Sequence, residues 1–163
     1  RAEEAPPALM RIDIATLVAD VIEHERLSAD VEDVTLTADV PPGLMVRCDP
    51  EQLYRVLGNL IRNARQAIAG TGAHGEVTIK AGEGDTSWWI TVSDTGPGLP
   101  KKALDHLFTP FQGGARKGGT GLGLAIAAEL VRGHGGTLEL EETGPEGSTF
   151  RITLPSSRVA LAS

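Results

Sequence analysis

Apolar residues recur along this chain with two different periods, and the switches between them mark out its elements. Ile12, Ile14, Leu17, Val18, Val21 and Ile22 fall at helical spacing and predict a first helix near residues 13–27. Leu53, Val56, Leu57, Leu60, Ile61, Ala64, Ala67 and Ile68 form a longer stripe and a second helix. Asp49 suits its N-cap, Pro50 its first position, Gln52 completes a capping box, and Gly70 stops it. Short β-prone runs at 34–38, 44–47, 76–81, 87–93, 137–141 and 149–154 read as strands. Pro41-Pro42-Gly43 turns the chain between the first two, and the third and fourth make a hairpin. Residues 101–108 hold one or two helical turns, and 121–132 predict a last helix closed by Gly133. Residues 1–11, rich in Ala, Pro and Glu, read as a linker and 156–163 as a frayed tail, leaving 12–155 as one domain.

Composition narrows the function classes. A net charge of −7 argues against nonspecific nucleic-acid binding, which needs a basic surface. Cys48 is the single cysteine, so no internal disulfide forms, and a reducing, cytoplasmic compartment fits. No apolar run reaches membrane-spanning length, so no membrane contact is expected of this chain. Because it starts at Arg1, it is expected to be a fragment or processed form. His24, His74, His106 and His134 lack metal-ligand spacing and read as surface residues.

Three constellations carry candidate chemistry. The tract from Gly113 to Ala127 is a glycine-dense loop, with Arg116 and Lys117 in it, running into an apolar helix. Glycines let backbone N–H groups approach a ligand, and a helix N-terminus favours phosphate. The tract lacks the Gly-Lys-Ser/Thr of a P-loop and the third glycine of a dinucleotide fingerprint. It reads as a phosphate-binding lid or as a flexible linker. On the second helix, Asn59, Asn63 and Gln66 line one flank beside the apolar stripe. Amide oxygens there suit Mg²⁺, a hard cation, and a water-facing polar flank is the alternative. Asp94 ends a strand just before Gly96 and Gly98. It can accept from the exocyclic amine of adenine, or it can simply terminate the strand as an Asx turn.

In this order the motifs resemble the catalytic ATP-binding domain of sensor histidine kinases, in the group that includes DNA gyrase, Hsp90 and MutL. Asn59-Leu60-Ile61-Arg62-Asn63-Ala64 is similar to the N box of that family. Asp94-Thr95-Gly96-Pro97-Gly98 is similar to its first glycine box, Leu107-Phe108-Thr109-Pro110-Phe111 to its F box, and Gly119-Thr120-Gly121-Leu122-Gly123-Leu124 to its second glycine box. The resemblance implies a two-layer α/β sandwich: a mixed, mostly antiparallel sheet packed on about three helices, with an ATP lid. It implies Asn63 as the Mg²⁺ ligand, Asn59 as a phosphate or metal-shell contact, and Asp94 as the adenine reader. Gly96 and Gly98 would shape the base pocket, and Thr149 would support it. Gly119, Thr120, Gly121, Leu122 and Gly123 would supply lid and phosphate contacts. Gln66 and Ala67 stand where many relatives carry a lysine and an aromatic residue, so phosphate neutralisation falls to Arg62, Arg116 or Lys117.

The implied activity is transfer of the γ-phosphoryl group of ATP to a histidine on an upstream dimerisation hairpin, and onward to the receiver domain of a response regulator. In the ATP-hydrolysing relatives a glutamate stands where this chain has Asn59, and an amide cannot act as general base. His24-Glu25-Arg26-Leu27 faintly echoes the phosphoacceptor motif, but it lies inside the first helix of the ATP domain and is rejected as acceptor. A serine kinase of the same fold, acting on an anti-sigma-factor antagonist, and a degenerate docking module are the alternatives.

Overall fold

A computed structural model describes residues 5–28, 33–110 and 122–156. The elements in chain order are β1 (Met10–Asp13), α1 (Ile14–Ser28), β2 (Val34–Asp39), β3 (Met45–Cys48), α2 (Pro50–Ala69), β4 (Gly75–Glu83) and β5 (Ser87–Asp94), then α3 (Lys101–Leu104), α4 (Gly123–Gly133), β6 (Thr137–Gly144) and β7 (Gly147–Pro155). Five strands form one sheet in the order β2-β4-β5-β7-β6. Only β2 runs parallel to its neighbour; the other pairs are antiparallel. Alternation along β4, β5 and β7 sends Val77 and Ile79, Ile90 and Val92, and Phe150, Ile152 and Leu154 into the core. Helices α1, α2 and α4 cover that face, giving the expected two-layer sandwich.

The apolar stripe of α2 accounts for its central place. Leu53, Leu57, Leu60, Ile61 and Ile68 are essentially inaccessible, and each such burial is worth roughly 1.5–3 kcal/mol. Asp49 caps the helix as expected, its Oδ1 accepting from the N–H groups of Glu51 (3.0 Å) and Gln52 (3.1 Å). The reciprocal half of the capping box does not form. Gln52 instead donates Nε2–H to the Ala5 carbonyl (2.9 Å), and the Asp49 N–H goes to His134 Nε2 (3.1 Å). Gly70 stays right-handed at φ −65°, so the turn is completed only at Gly72, at φ +73°.

The N-terminal segment departs from the linker reading. Met10–Asp13 is a strand, antiparallel to β3, with Ile12 facing Val46 across the ribbon. Asp13 Oδ1 then accepts from Ala15 N–H (3.1 Å) and starts α1, so Ile12 belongs to the strand and not to the helix. Ala8 N–H donates to Asp49 Oδ2 (2.9 Å), which fastens this segment to the start of α2. The strands on either side of Pro41-Pro42-Gly43 therefore join different sheets.

His134, expected on the surface as a bystander, is structural. Its Nδ1–H donates to Leu130 O (2.9 Å), its Nε2 accepts from Asp49, and so the end of α4 is tied to the start of α2. Gly133 falls inside α4, and Gly135 supplies the left-handed residue at φ +79°. Burial raises the Asp49 carboxyl, but the N–H donors of Ala8, Gln52 and Glu51 and the nearby His134 outweigh it, leaving the group below its usual value. Next to it, burial and then the Asp49 charge push the Cys48 thiol up to about 12, so it stays protonated at neutral pH.

Candidate functional site

Asp94 occupies the end of β5 and is buried at 8% exposure. Its Oδ1 accepts from the Gly96 N–H (2.8 Å) and from the Ser148 N–H on β7 (3.3 Å). Two backbone donors on one oxygen fix the carboxylate's direction before any ligand arrives. Behind it runs a chain of hydroxyls. Ser148 Oγ bonds Thr143 Oγ1 (2.7 Å), and Thr143 Oγ1 accepts from Leu99 N–H (2.9 Å). Thr149 Oγ1 bonds Ser93 Oγ (2.9 Å) one register position away. Asp94 and Thr149 help to line a cavity of about 370 Å³ against the β6–β7 turn.

Glycine is required at two points of this corner. Gly98 adopts φ +83°, and a Cβ there would run into the Gly144 carbonyl. Gly147 adopts φ +141°, and a Cβ there would overlap the Asp94 carbonyl oxygen. Gly96 packs so closely on α2 that an added Cβ would lie 3.2 Å from Ala67 Cβ.

That contact sets the corner against the helix one turn beyond Asn63. One turn before Asn63, Asn59 donates Nδ2–H to the carbonyl of Gly123, the first residue of α4 (3.2 Å). Asn59, Asn63 and Ala67 are spaced by four, so they share one stripe of α2. The stripe runs about 12 Å, at about 1.5 Å per residue, from the start of α4 to the Asp94 turn.

Asn59 Oδ1 accepts from Arg62 Nη2 (2.5 Å). Arg62 is in turn held by Glu25 of α1, Nη1 to Oε2 at 2.8 Å, and Glu25 Oε1 also receives Arg65 Nη1 at 2.6 Å. Glu25 is 1% exposed, whereas the Arg62 side chain is 48% exposed and keeps donors in reach of solvent. The guanidinium thus stands beside the amide stripe with its position set from behind.

Of the expected site residues, Asn59 meets Gly123 at the start of α4, Asn63 lies one turn further along α2, Gly96 packs on Ala67 a turn beyond that, and Gly98 and Thr149 belong to the Asp94 corner. Leu122 is the N-cap residue of α4. Arg116, Lys117, Gly119, Thr120 and Gly121 lie outside the described residues, as does Phe111 of the F box. Phe108 meets Phe150 edge-on at 6.2 Å. Sequence reasoning missed Glu25, although it falls three residues after Ile22 and four after Val21, on the buried stripe of α1. A carboxylate in that register needs a cationic partner. It also missed Thr143 and Ser148, which only the strand register brings to Asp94. Among the described residues no group of three or more His, Cys, Asp or Glu side chains could hold a metal ion. Nor is any helix there long and apolar enough to cross a membrane.

The family pattern "Histidine kinase-, DNA gyrase B-, and HSP90-like ATPase" matches residues 48–158. The sensor histidine kinase ZraS of Escherichia coli (strain K12) is 36% identical over 149 residues, which is 91% of this chain and 31% of that protein. The C4-dicarboxylate transport sensor protein DctB of Rhizobium meliloti (strain 1021) is 41% identical over 146 residues, 85% of this chain and 23% of that protein. The chain thus spans about a third or less of these relatives. Full-length ShkA in complex with AMPPNP superimposes with a TM-score of 0.80 at 27% identity, over 95% of this chain and 32% of that one. The nucleotide-free catalytic domain of histidine kinase ThkA gives 0.76 at 25% identity, over 91% of this chain and 95% of that one.

Proposed function

Because this chain belongs to the histidine kinase-, DNA gyrase B- and HSP90-like ATPase family, we propose that it is the catalytic ATP-binding domain of a sensor histidine kinase. It binds Mg-ATP and presents the γ-phosphoryl group to a histidine on a separate dimerisation domain, from which the group passes to a response regulator. The observation that carries this reading is the placement of three walls along one stripe of α2: the start of α4 at Asn59, Asn63 in the middle, and the Asp94 turn at Ala67.

Each wall has a chemical part. Asp94, held by two backbone N–H groups, accepts from the exocyclic amine of adenine, and Thr149 stands beside it. The side-chain oxygen of Asn63 is a hard donor and fits Mg²⁺, which takes few protein ligands when phosphates and waters complete its shell. Bound there, the ion would neutralise phosphate charge. Arg62 takes over the cationic role that Gln66 and Ala67 leave unfilled, because Glu25 fixes its guanidinium beside Asn59. Gly123 and the rest of the second glycine box, of which residues 119–121 lie outside the described residues, would contact the phosphates.

No general base stands at Asn59, so water is poorly activated and the phosphoryl group is retained for a better nucleophile. The chain's contribution to transfer is then positioning and charge neutralisation. ATP and the unpaired Cys48 both suit the cytoplasm.

Calorimetric titration of a non-hydrolysable ATP analogue, with and without Mg²⁺, tests the reading. Wild-type protein is expected to bind with metal-enhanced affinity, and Asp94→Asn to bind at least about tenfold more weakly, since a misoriented amide leaves a buried partner unpaired. Equal affinity in the two proteins refutes it.

A further inference from the structure

The β1–β3 ribbon sets Arg11 directly across from Arg47. Like charges facing one another across paired strands repel, and folded chains ordinarily relieve this with a carboxylate. Here both side chains are exposed, and neither has an ion pair or hydrogen bond among the described residues. Both line a groove of about 620 Å³ shared with the tip of the β4–β5 hairpin. Glu83, the groove's one carboxylate, pairs with neither of them.

A second observation falls in the same groove. Trp88 lines it at 5% exposure, and its Nε1–H is the single buried side-chain polar atom without a partner among the described residues. A buried donor left unpaired is uncommon and costly. Beside it Leu9 and Met10 are 43% and 54% exposed, unusual for large apolar side chains in this chain. Trp88 and Asp94 stand six residues apart on β5, about 20 Å along an extended strand, so this groove is separate from the nucleotide corner.

We propose that the groove docks an acidic segment of a partner protein, an Asp or Glu side chain set beside an apolar one. The two guanidinium groups are donors only, an ionised carboxylate is an acceptor only, and Trp88 beside them reports on occupation of the groove. The apolar neighbour accounts for Leu9 and Met10, which a free inorganic anion would leave uncovered. A polyanionic nucleic acid is disfavoured by the chain's net charge of −7.

The test uses the two tryptophan indole N–H signals in a ¹⁵N–¹H spectrum, with Trp88→Phe identifying the buried one. The probes are the peptide acetyl-Leu-Glu-Leu-Glu-Leu-amide, its Gln counterpart, sodium acetate and inorganic phosphate. The Glu peptide is expected to shift the Trp88 signal saturably and leave that of Trp89 in place. The Arg11→Gln, Arg47→Gln double variant is expected to bind at least tenfold more weakly; both positions are on the surface, so the fold is retained. Wild-type binding should also weaken as salt rises, which tests the charge pairing without any variant. Four results overturn the proposal: no shift, an equal shift with the Gln peptide, an equal shift with acetate or phosphate (an adventitious ion only), or affinity unchanged by salt and by loss of both arginines.

Discussion

The two ends of the Asn59–Ala67 stripe of α2 are built differently. At the Asp94 end the carboxylate is buried, its direction is set by two backbone N–H groups, and glycines stand where no side chain fits. At the Asn59 end the amide is half-exposed, and its two polar atoms are spent on Arg62 and on the Gly123 carbonyl. The first end is complete before a ligand arrives. The second holds its groups in protein bonds that a ligand must exchange. On the proposed reading, base recognition would need little rearrangement, whereas phosphate and metal capture would require Arg62 and the start of α4 to exchange these bonds.

The contrast can be broken most strongly from behind the Asn59 end. Glu25→Ala would leave Arg65, whose side chain is 11% exposed, with an uncompensated charge. A loss of about 3 kcal/mol in denaturant-unfolding stability is expected, the low end for breaking a buried pair, because Arg62 is half in solvent. A loss below half of that would mean that Glu25 does not anchor the wall.

At the other end, Gly98→Ala forces a Cβ against the Gly144 backbone in a left-handed conformation. It is expected to cost about 1–3 kcal/mol and to weaken adenosine binding as well as ATP binding. Weakened ATP binding with adenosine affinity intact would shift Gly98 out of the base corner.

Asn63→Ala sharpens the comparison further. Binding of an ATP analogue should lose its dependence on Mg²⁺ while adenosine affinity stays within about twofold. Metal dependence equal to wild type would remove Asn63 from the metal site.

The smallest effect lies outside the stripe. Asp49→Ala removes the α2 cap and should cost about 1 kcal/mol at neutral pH. The folded-state pKa of Asp49 is lowered, so its contribution is complete above about pH 4 and is lost as the pH falls through the folded value. Wild type and variant should therefore converge in stability in acid; a constant gap across that range would show that the cap does not titrate.

Much of this architecture is legible in the chain itself, for identifiable reasons. Helix α2 carries eight stripe residues behind an Asp-Pro start, so pattern and cap agree. Strand β1 is four residues long, too short for alternation to show, and only its pairing with β3 makes it a strand. The capping box failed because a distant carbonyl, that of Ala5, competes for Gln52. The role of His134 is likewise long-range, joining residues 85 positions apart. That Asn59 and Asn63 share a stripe and that Asp94 ends a strand is readable because helix spacing and a strand end are local features; the roles proposed for them come from the family resemblance. Their partners Glu25, Thr143 and Ser148 come from other elements, and only the fold brings them near.

The central claim is that the Asp94 corner and the Asn59–Asn63 stripe are two ends of one Mg-ATP site. A crystal structure of this chain with Mg²⁺ and a non-hydrolysable ATP analogue tests it most directly. The base is predicted to lie with its exocyclic amine on Asp94, with the phosphates running along α2 past Asn63 towards Gly123. A nucleotide bound elsewhere, or a base remote from Asp94, would contradict it.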